Sequence, residues 1–164
     1  MTRYVHIVGR KNHGKTTLVV DLVKEFCRRG VRVGTVKHSR HRHDLDTPGK
    51  DSHRHRHAGA NPAAIVTADS IGIFLHRDAG ADFYDRLDPL FAGCELVLVE
   101  GDIETPGLKV EVWRASIGTH CLAPEHPDIL AVVSDDTPQV AVPVWARCET
   151  ALLADRILML LAEK

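Results

Sequence analysis

The sequence predicts a three-layer α/β domain built on a mainly parallel sheet. Three observations predict it. Segments of strand character alternate with segments of helical period along the chain. Several of the strand segments are apolar throughout, as strands covered on both faces must be. The first strand also runs through a glycine-punctuated loop straight into an amphipathic helix. The chain has 164 residues, of which 44% are hydrophobic and 26% charged, which suits a single globular domain over 1–164.

Arg3 to Val8 is β-branched and apolar, and reads as a strand ending at Gly9. From Thr16 the period changes. Leu18, Val19, Leu22, Val23, Phe26 and Cys27 form one helical stripe, Asp21, Lys24, Glu25, Arg28 and Arg29 face away from it, and Gly30 is placed to cap the end. Val31 to Lys37 is a second strand, parallel to the first because a helix crosses over between them. Residues 38 to 62 hold too little apolar material to fill a core, and read as a long functional loop with a short helix from Lys50 to Ala58. Ala63 to Thr67 and Ile71 to Leu75 flank the turn-like Asp69-Ser70, so they form a hairpin or two short neighbouring strands.

Residues 81 to 92 suggest a modest helix. Glu95 to Val99 is a continuous buried-strand run ending at Glu100-Gly101. Leu108 to Trp113 follows as another strand, entered through Pro106-Gly107. Ile129 to Ser134 is an apolar strand that stops at Asp135-Asp136. Val140 to Trp145 is expected as a short edge strand, because Pro143 has no ladder donor. Glu149 to Glu163 closes the chain as a helix with Leu152, Leu153, Arg156, Ile157, Leu160 and Leu161 on its packing side.

The bulk properties exclude several classes. A formal charge of -1 and a pI near 6.8 give no basic field for nucleic acid. No run approaches the roughly 18 apolar residues of a membrane span, and the N-terminus lacks the charged head and long apolar core of a secretion signal. The four cysteines, Cys27, Cys94, Cys121 and Cys148, form no C-x-x-C pair, which argues against structural zinc and disulfides and for buried free thiols. A cytoplasmic protein is expected.

Gly9-Arg10-Lys11-Asn12-His13-Gly14-Lys15-Thr16 matches G-x-x-x-x-G-K-[ST] at every fixed position, between a strand and a helix as the mechanism requires. This is the loop of the P-loop NTPase fold. Successive N–H groups from Asn12 through His13, Gly14, Lys15 and Thr16 to Thr17 would point at phosphate oxygens, reinforced by the positive end of the helix. Lys15 would neutralise the β and γ phosphates and is the expected catalytic charge; the Thr16 hydroxyl would fill one Mg2+ position. His13 is large for its place, and its ring is expected to point to solvent.

A phosphate-bound Mg2+ also needs a carboxylate at a neighbouring strand end, and Glu100 is placed for it. A second metal-shell acid is expected from the segment Asp44 to Ser52, with Asp51 the choice because Pro48-Gly49 would fix the turn presenting it, and Asp46 the alternative. Six of the eleven histidines lie between His38 and His57, among arginines. The alternation His53-x-His55-x-His57 would gather the rings on a strand but scatter them around a helix, so the tract reads as a solvated cationic loop that receives an anion, with metal binding as the alternative.

Taken in order, Gly9 through Leu18, Val36-Lys37-His38, Asp46-Thr47-Pro48-Gly49-Lys50-Asp51-Ser52, Ala58-Gly59-Ala60 and Leu98-Val99-Glu100-Gly101 resemble the molybdopterin-guanine dinucleotide biosynthesis adaptor family, MobB. The resemblance implies a P-loop fold with an inserted β-hairpin, GTP and Mg2+ as ligands, weak GTPase activity, and dimers. It also implies a role assisting the guanylyltransferase that joins GMP to molybdopterin. Carried onto this chain, Asn12 to Thr17 would bind phosphates, Thr16, Asp51 and Glu100 would gather around Mg2+, and His38 and the Pro48 to Ser52 turn would lie near the ligand or partner. No N-K-x-D guanine-reading motif occurs, and Asp135 is the residue in a comparable place, as a guanine acceptor or an ordinary turn residue. Two other readings stand beside this one: a histidine-rich metallochaperone GTPase for nickel or zinc, and an ATP-dependent ligase resembling dethiobiotin synthetase, which also ends a strand with Glu-Gly near a P-loop.

Overall fold

In chain order the computed structural model has strand β1 (Tyr4–Val8), helix α1 (Lys15–Arg28), β2 (Val33–Lys37), α2 (Asp51–His57), β3 (Ala63–Val66), β4 (Ile71–Phe74), α3 (Phe83–Phe91), β5 (Leu96–Glu100), β6 (Leu108–Val112), a 3-10 turn (Ala115–Ile117), β7 (Ile129–Val133), β8 (Val144–Trp145) and α4 (Thr150–Ala162). The structure describes residues 3–41, 44–77 and 82–162. Arg42 and His43 of the histidine tract, Ala81 at the expected start of the third helix and Glu163 at the expected end of the last lie outside the described residues. Two compact units emerge, one of Met1–Ser39 with Asp88–Lys164 and one of Arg40–Leu87.

The first unit is built on a six-stranded sheet of order β2-β5-β1-β6-β7-β8, with every pairing parallel. All five residues of β5 are buried, as its apolar run requires, and so are all five of β6, Lys109 and Glu111 included. Leu18, Leu22 and Phe26 of α1 and Leu153 and Ile157 of α4 pack with Leu96, Leu98, Val110 and Ala131 in the main core. Each fully buried Leu, Ile, Val or Phe side chain among them contributes about 1.5–3 kcal/mol. A second cluster joins Val8, Leu122, Ala123, Ile129 and Val132.

Three expectations need correction. The edge strand is only Val144–Trp145, because pairing with β7 begins at the Pro143 carbonyl, which accepts the Val132 N–H at 2.9 Å. Of the free thiols only Cys121 is buried; Cys27, at the margin of the α1 stripe, and Cys148 are exposed. On α4 the packing stripe takes Ala154 rather than Leu152, which is exposed.

The sheet also buries polar side chains that periodicity did not flag. The Lys109 ammonium donates to the Thr105 carbonyl at 2.7 Å and pairs with Asp128. The Glu111 carboxylate accepts the N–H groups of Leu122 and Ala123 at 2.8 and 2.9 Å, while burial pushes its pKa up. His6 Nδ1 donates to the Asp102 carbonyl at 3.0 Å, and burial pushes its pKa down.

The second unit contains α2 and the antiparallel hairpin β3–β4, in which Ala63 faces Phe74 and Val66 faces Ile71. The Arg56 guanidinium lies 5.0 Å from the centre of the Phe74 ring. Ile65, Val66, Ile71 and Ile73 of the hairpin remain exposed. Among the described residues no helix is long and apolar enough to cross a membrane.

Candidate functional site

The loop between β1 and α1 lies at the carboxyl edge of the parallel sheet, where such sheets bind ligands. Its turn needs glycine at both ends. A Cβ at Gly9 would stand 2.5 Å from the Val112 carbonyl oxygen, and Gly14 takes φ +93° with the Arg114 guanidinium close above it, Nη2 2.7 Å from where a Cβ would stand. Asn12 takes φ 68°, a left-handed conformation asparagine tolerates. Helix α1 starts at Lys15 with no side-chain cap, so its first-turn N–H groups are free of a capping oxygen and point out of the helix end.

Strand register brings the charged groups together. Ile7, Lys37 and Glu100 are aligned across β1, β2 and β5. The Thr16 hydroxyl donates to Glu100 Oε1 at 2.6 Å, and Lys37 Nζ donates to the same oxygen at 2.5 Å. Glu100 itself is only 6% exposed. Lys15 Nζ folds back to the Arg10 carbonyl at 2.7 Å; burial lowers its pKa, Glu100 opposes that and Lys37 adds to it. The two oxygens fit a hard divalent cation, since adjacent octahedral ligands at 2.0–2.1 Å from Mg2+ stand about 2.9 Å apart.

His13 departs from the expectation. Its ring is fully buried, not in solvent. Nδ1 accepts the Arg114 N–H at 2.9 Å, which leaves the proton on Nε2 to donate to Thr119 Oγ1 at 2.8 Å. The ring thereby ties the loop to the chain leaving β6. Burial, then the nearby Lys15, Arg10 and Arg114, push its pKa down. Arg114 was missed by motif reading, because it stands at no fixed spacing from the loop, and Lys37 was read only within Val36-Lys37-His38, without a role at Glu100.

The other expected residues have local partners of their own. Asp51 opens α2 in the second unit with a side chain 90% exposed, and Arg54 at 3.9 Å is its ion-pair partner. Asp46 Oδ1 accepts from Ser52 Oγ at 3.0 Å and from the Thr47 N–H at 2.9 Å, so it closes the turn of its own unit. Asp135 follows β7, is exposed, and accepts the Cys148 N–H on Oδ1 at 3.1 Å. His53, His55 and His57 all lie on α2. The expected scattering holds for His55 but fails for His53 and His57, which stand one turn apart with ring centres at 4.2 Å.

A glycine loop between the first strand and helix, facing an acid at the end of a neighbouring parallel strand, defines the class: this is a P-loop NTPase fold. The family model described as molybdopterin guanine dinucleotide synthesis protein B, MobB, matches residues 4–135, and the chain belongs to that family. It is 33% identical over 110 residues to the molybdopterin-guanine dinucleotide biosynthesis adapter protein of Escherichia coli (strain K12), covering 64% of this chain and 62% of that one. It is also 33% identical over 114 residues to the protein of the same name in Haemophilus influenzae, covering 66% and 61%. The matches thus span about six tenths of the length of these curated relatives. The crystal structure of Bacillus subtilis MobB superposes with a TM-score of 0.73 at 24% identity over 97% of this chain and 98% of that one. A MobB homologue from Bacillus stearothermophilus gives 0.68 at 24% over 98% and 99%.

Proposed function

We propose that this chain is an adapter of molybdopterin guanine dinucleotide biosynthesis that holds GTP and Mg2+ on its glycine loop. The observation that carries the reading is the Thr16 hydroxyl at 2.6 Å from Glu100 Oε1, at the open N-terminus of α1. The N–H groups of Asn12 to Thr17 receive phosphate oxygens. Lys15 exchanges the Arg10 carbonyl for the β and γ phosphates, and Arg114, lying against Gly14, adds a second cation. Thr16 and Glu100 hold the Mg2+, with Asp51 as the proposed second acid. Bound there, the ion would neutralise charge developing on the phosphates. Turnover is slow in this reading, because the groups gathered at the loop bind phosphate and metal rather than orient an attacking water.

The relatives' shared name supports the adapter role. In it the chain serves the guanylyltransferase that joins GMP to molybdopterin. Homodimers form through the exposed apolar hairpin β3–β4. Strand β6 is unsuited to pairing subunits, since all five of its residues are buried and both its edges are paired.

Calorimetry with GTP and Mg2+ tests the reading. Lys15→Ala should weaken binding by about a hundredfold, roughly 3 kcal/mol, as losing a charge-assisted contact does. No binding by the wild-type chain at micromolar concentrations, or full affinity in the variant, overturns it.

A further inference from the structure

We propose that Asp44, His53 and His57 form a binding site for a zinc-class divalent transition-metal ion, separate from the nucleotide. Each residue offers one ligand atom, and these atoms all lie within 4.8 Å of one another. His53 and His57 occupy positions i and i+4 of α2, so one helical turn brings both imidazoles to the same face, with ring centres 4.2 Å apart and planes tilted by 35°. Asp44 reaches them from the preceding loop, with Oδ2 3.2 Å from His53 Nε2. Tetrahedral ligands at 2.0–2.2 Å from zinc stand about 3.3–3.6 Å apart, so this pair is already near ligand spacing.

The carboxylate is prepared for the role. Its other oxygen, Oδ1, accepts the Asp46 N–H at 3.2 Å and an Arg56 N–H at 3.3 Å. These outer contacts fix the group's orientation and leave Oδ2 turned to the histidines. The neighbouring cation does not sit between the ligands, because Arg56 is engaged with Oδ1 and with the Phe74 ring.

Two imidazoles and one carboxylate suit zinc and its neighbours and disfavour Mg2+, which takes oxygen ligands. Three protein ligands leave a fourth position for water or a partner's group. Metal on His53 Nε2 takes the place of the proton that Nε2 directs at Asp44 Oδ2 and leaves the ring proton on Nδ1, so the direct 3.2 Å contact to Asp44 is replaced by a shared ion and the long Gly49 N–H contact to Nδ1, 3.4 Å, is given up.

The full chain, free of nucleotide, should be titrated with Zn2+ against a chromophoric chelator and, separately, with Co2+ followed by visible absorption. One equivalent of Zn2+ and a tetrahedral cobalt spectrum are expected. His53→Ala, His57→Ala and Asp44→Asn should each weaken Zn2+ binding at least about tenfold. His55→Ala, on the same helix but off the shared face, should bind as the wild type does, and excess Mg2+ should not compete. Melting curves of the metal-free variants check that they fold, and His57→Gln replaces any alanine variant that does not. Absence of stoichiometric uptake, or a loss in His55→Ala equal to that in His57→Ala, overturns the proposal.

Discussion

The two units assemble their polar clusters by different means. In the first, residues far apart in sequence meet because parallel strands bring them into register: Thr16 follows β1, Lys37 ends β2 and Glu100 ends β5, and all three meet on one carboxylate oxygen. In the second, Asp44, His53 and His57 lie within 14 residues and depend on one turn of a seven-residue helix and the loop before it. The central strands of the sheet are buried, β5 in all five residues and β1 in four of five. The hairpin of the second unit instead exposes much of its apolar surface. A core can hold a site ready before any ligand arrives, whereas a two-stranded ribbon is marginal alone and gains stability from what covers it.

The largest effect should come from breaking that cover. Val66 and Ile71 face each other across the hairpin and are 71% and 69% exposed. Val66→Asp with Ile71→Asp should convert the proposed dimer to a monomer, read as halved mass by light scattering, while GTP affinity at the first unit stays as in the wild type. A dimer that survives both changes would place the interface elsewhere.

Within the first unit the sharpest test is the buried ring that ties the loop down. His13→Ala leaves the Arg114 N–H without its acceptor and should cost about 2–3 kcal/mol. The pH dependence follows from sign. With its pKa lowered in the fold, His13 stays neutral where the unfolded chain near 6.5 takes up a proton, so its contribution is whole above that value and is lost as pH falls below it. His13→Gln keeps an acceptor but cannot titrate, so its melting temperature should fall less steeply below about pH 6.5 than that of the wild type. His6 acts in the same direction and Glu111, with its raised pKa, in the opposite one, so the difference between variant and wild type isolates His13. Equal slopes would refute a neutral buried His13.

What the sequence revealed follows from the same contrast. Strands β5 and β7 were legible because both their faces are covered, which leaves runs such as Leu96 to Val99 apolar throughout. Thr16 and Glu100 were legible because a phosphate-bound cation demands a hydroxyl in the loop and an acid at a strand end. The buried partners were not. Lys109 relies on Asp128, and His13 on Arg114 and Thr119, 101 and 106 residues away, so no local pattern announces them. On α2 the period of two in His53 to His57 masked the period of the helix, which pairs the outer two and leaves His55 aside.

The smallest expected effect concerns the second acid of the metal shell. Glu100 is 6% exposed and touches Thr16, so Glu100→Gln removes the charge at the ion and should raise the Mg2+ concentration needed for GTP binding by at least about tenfold. Asp51 has a side chain 90% exposed at the start of α2, where a carboxylate acting through water contributes little. Asp51→Ala should therefore shift the Mg2+ requirement by less than about fivefold, measured by calorimetry across a magnesium series. A shift equal to that of Glu100→Gln would make the Asp51 carboxylate a direct metal ligand.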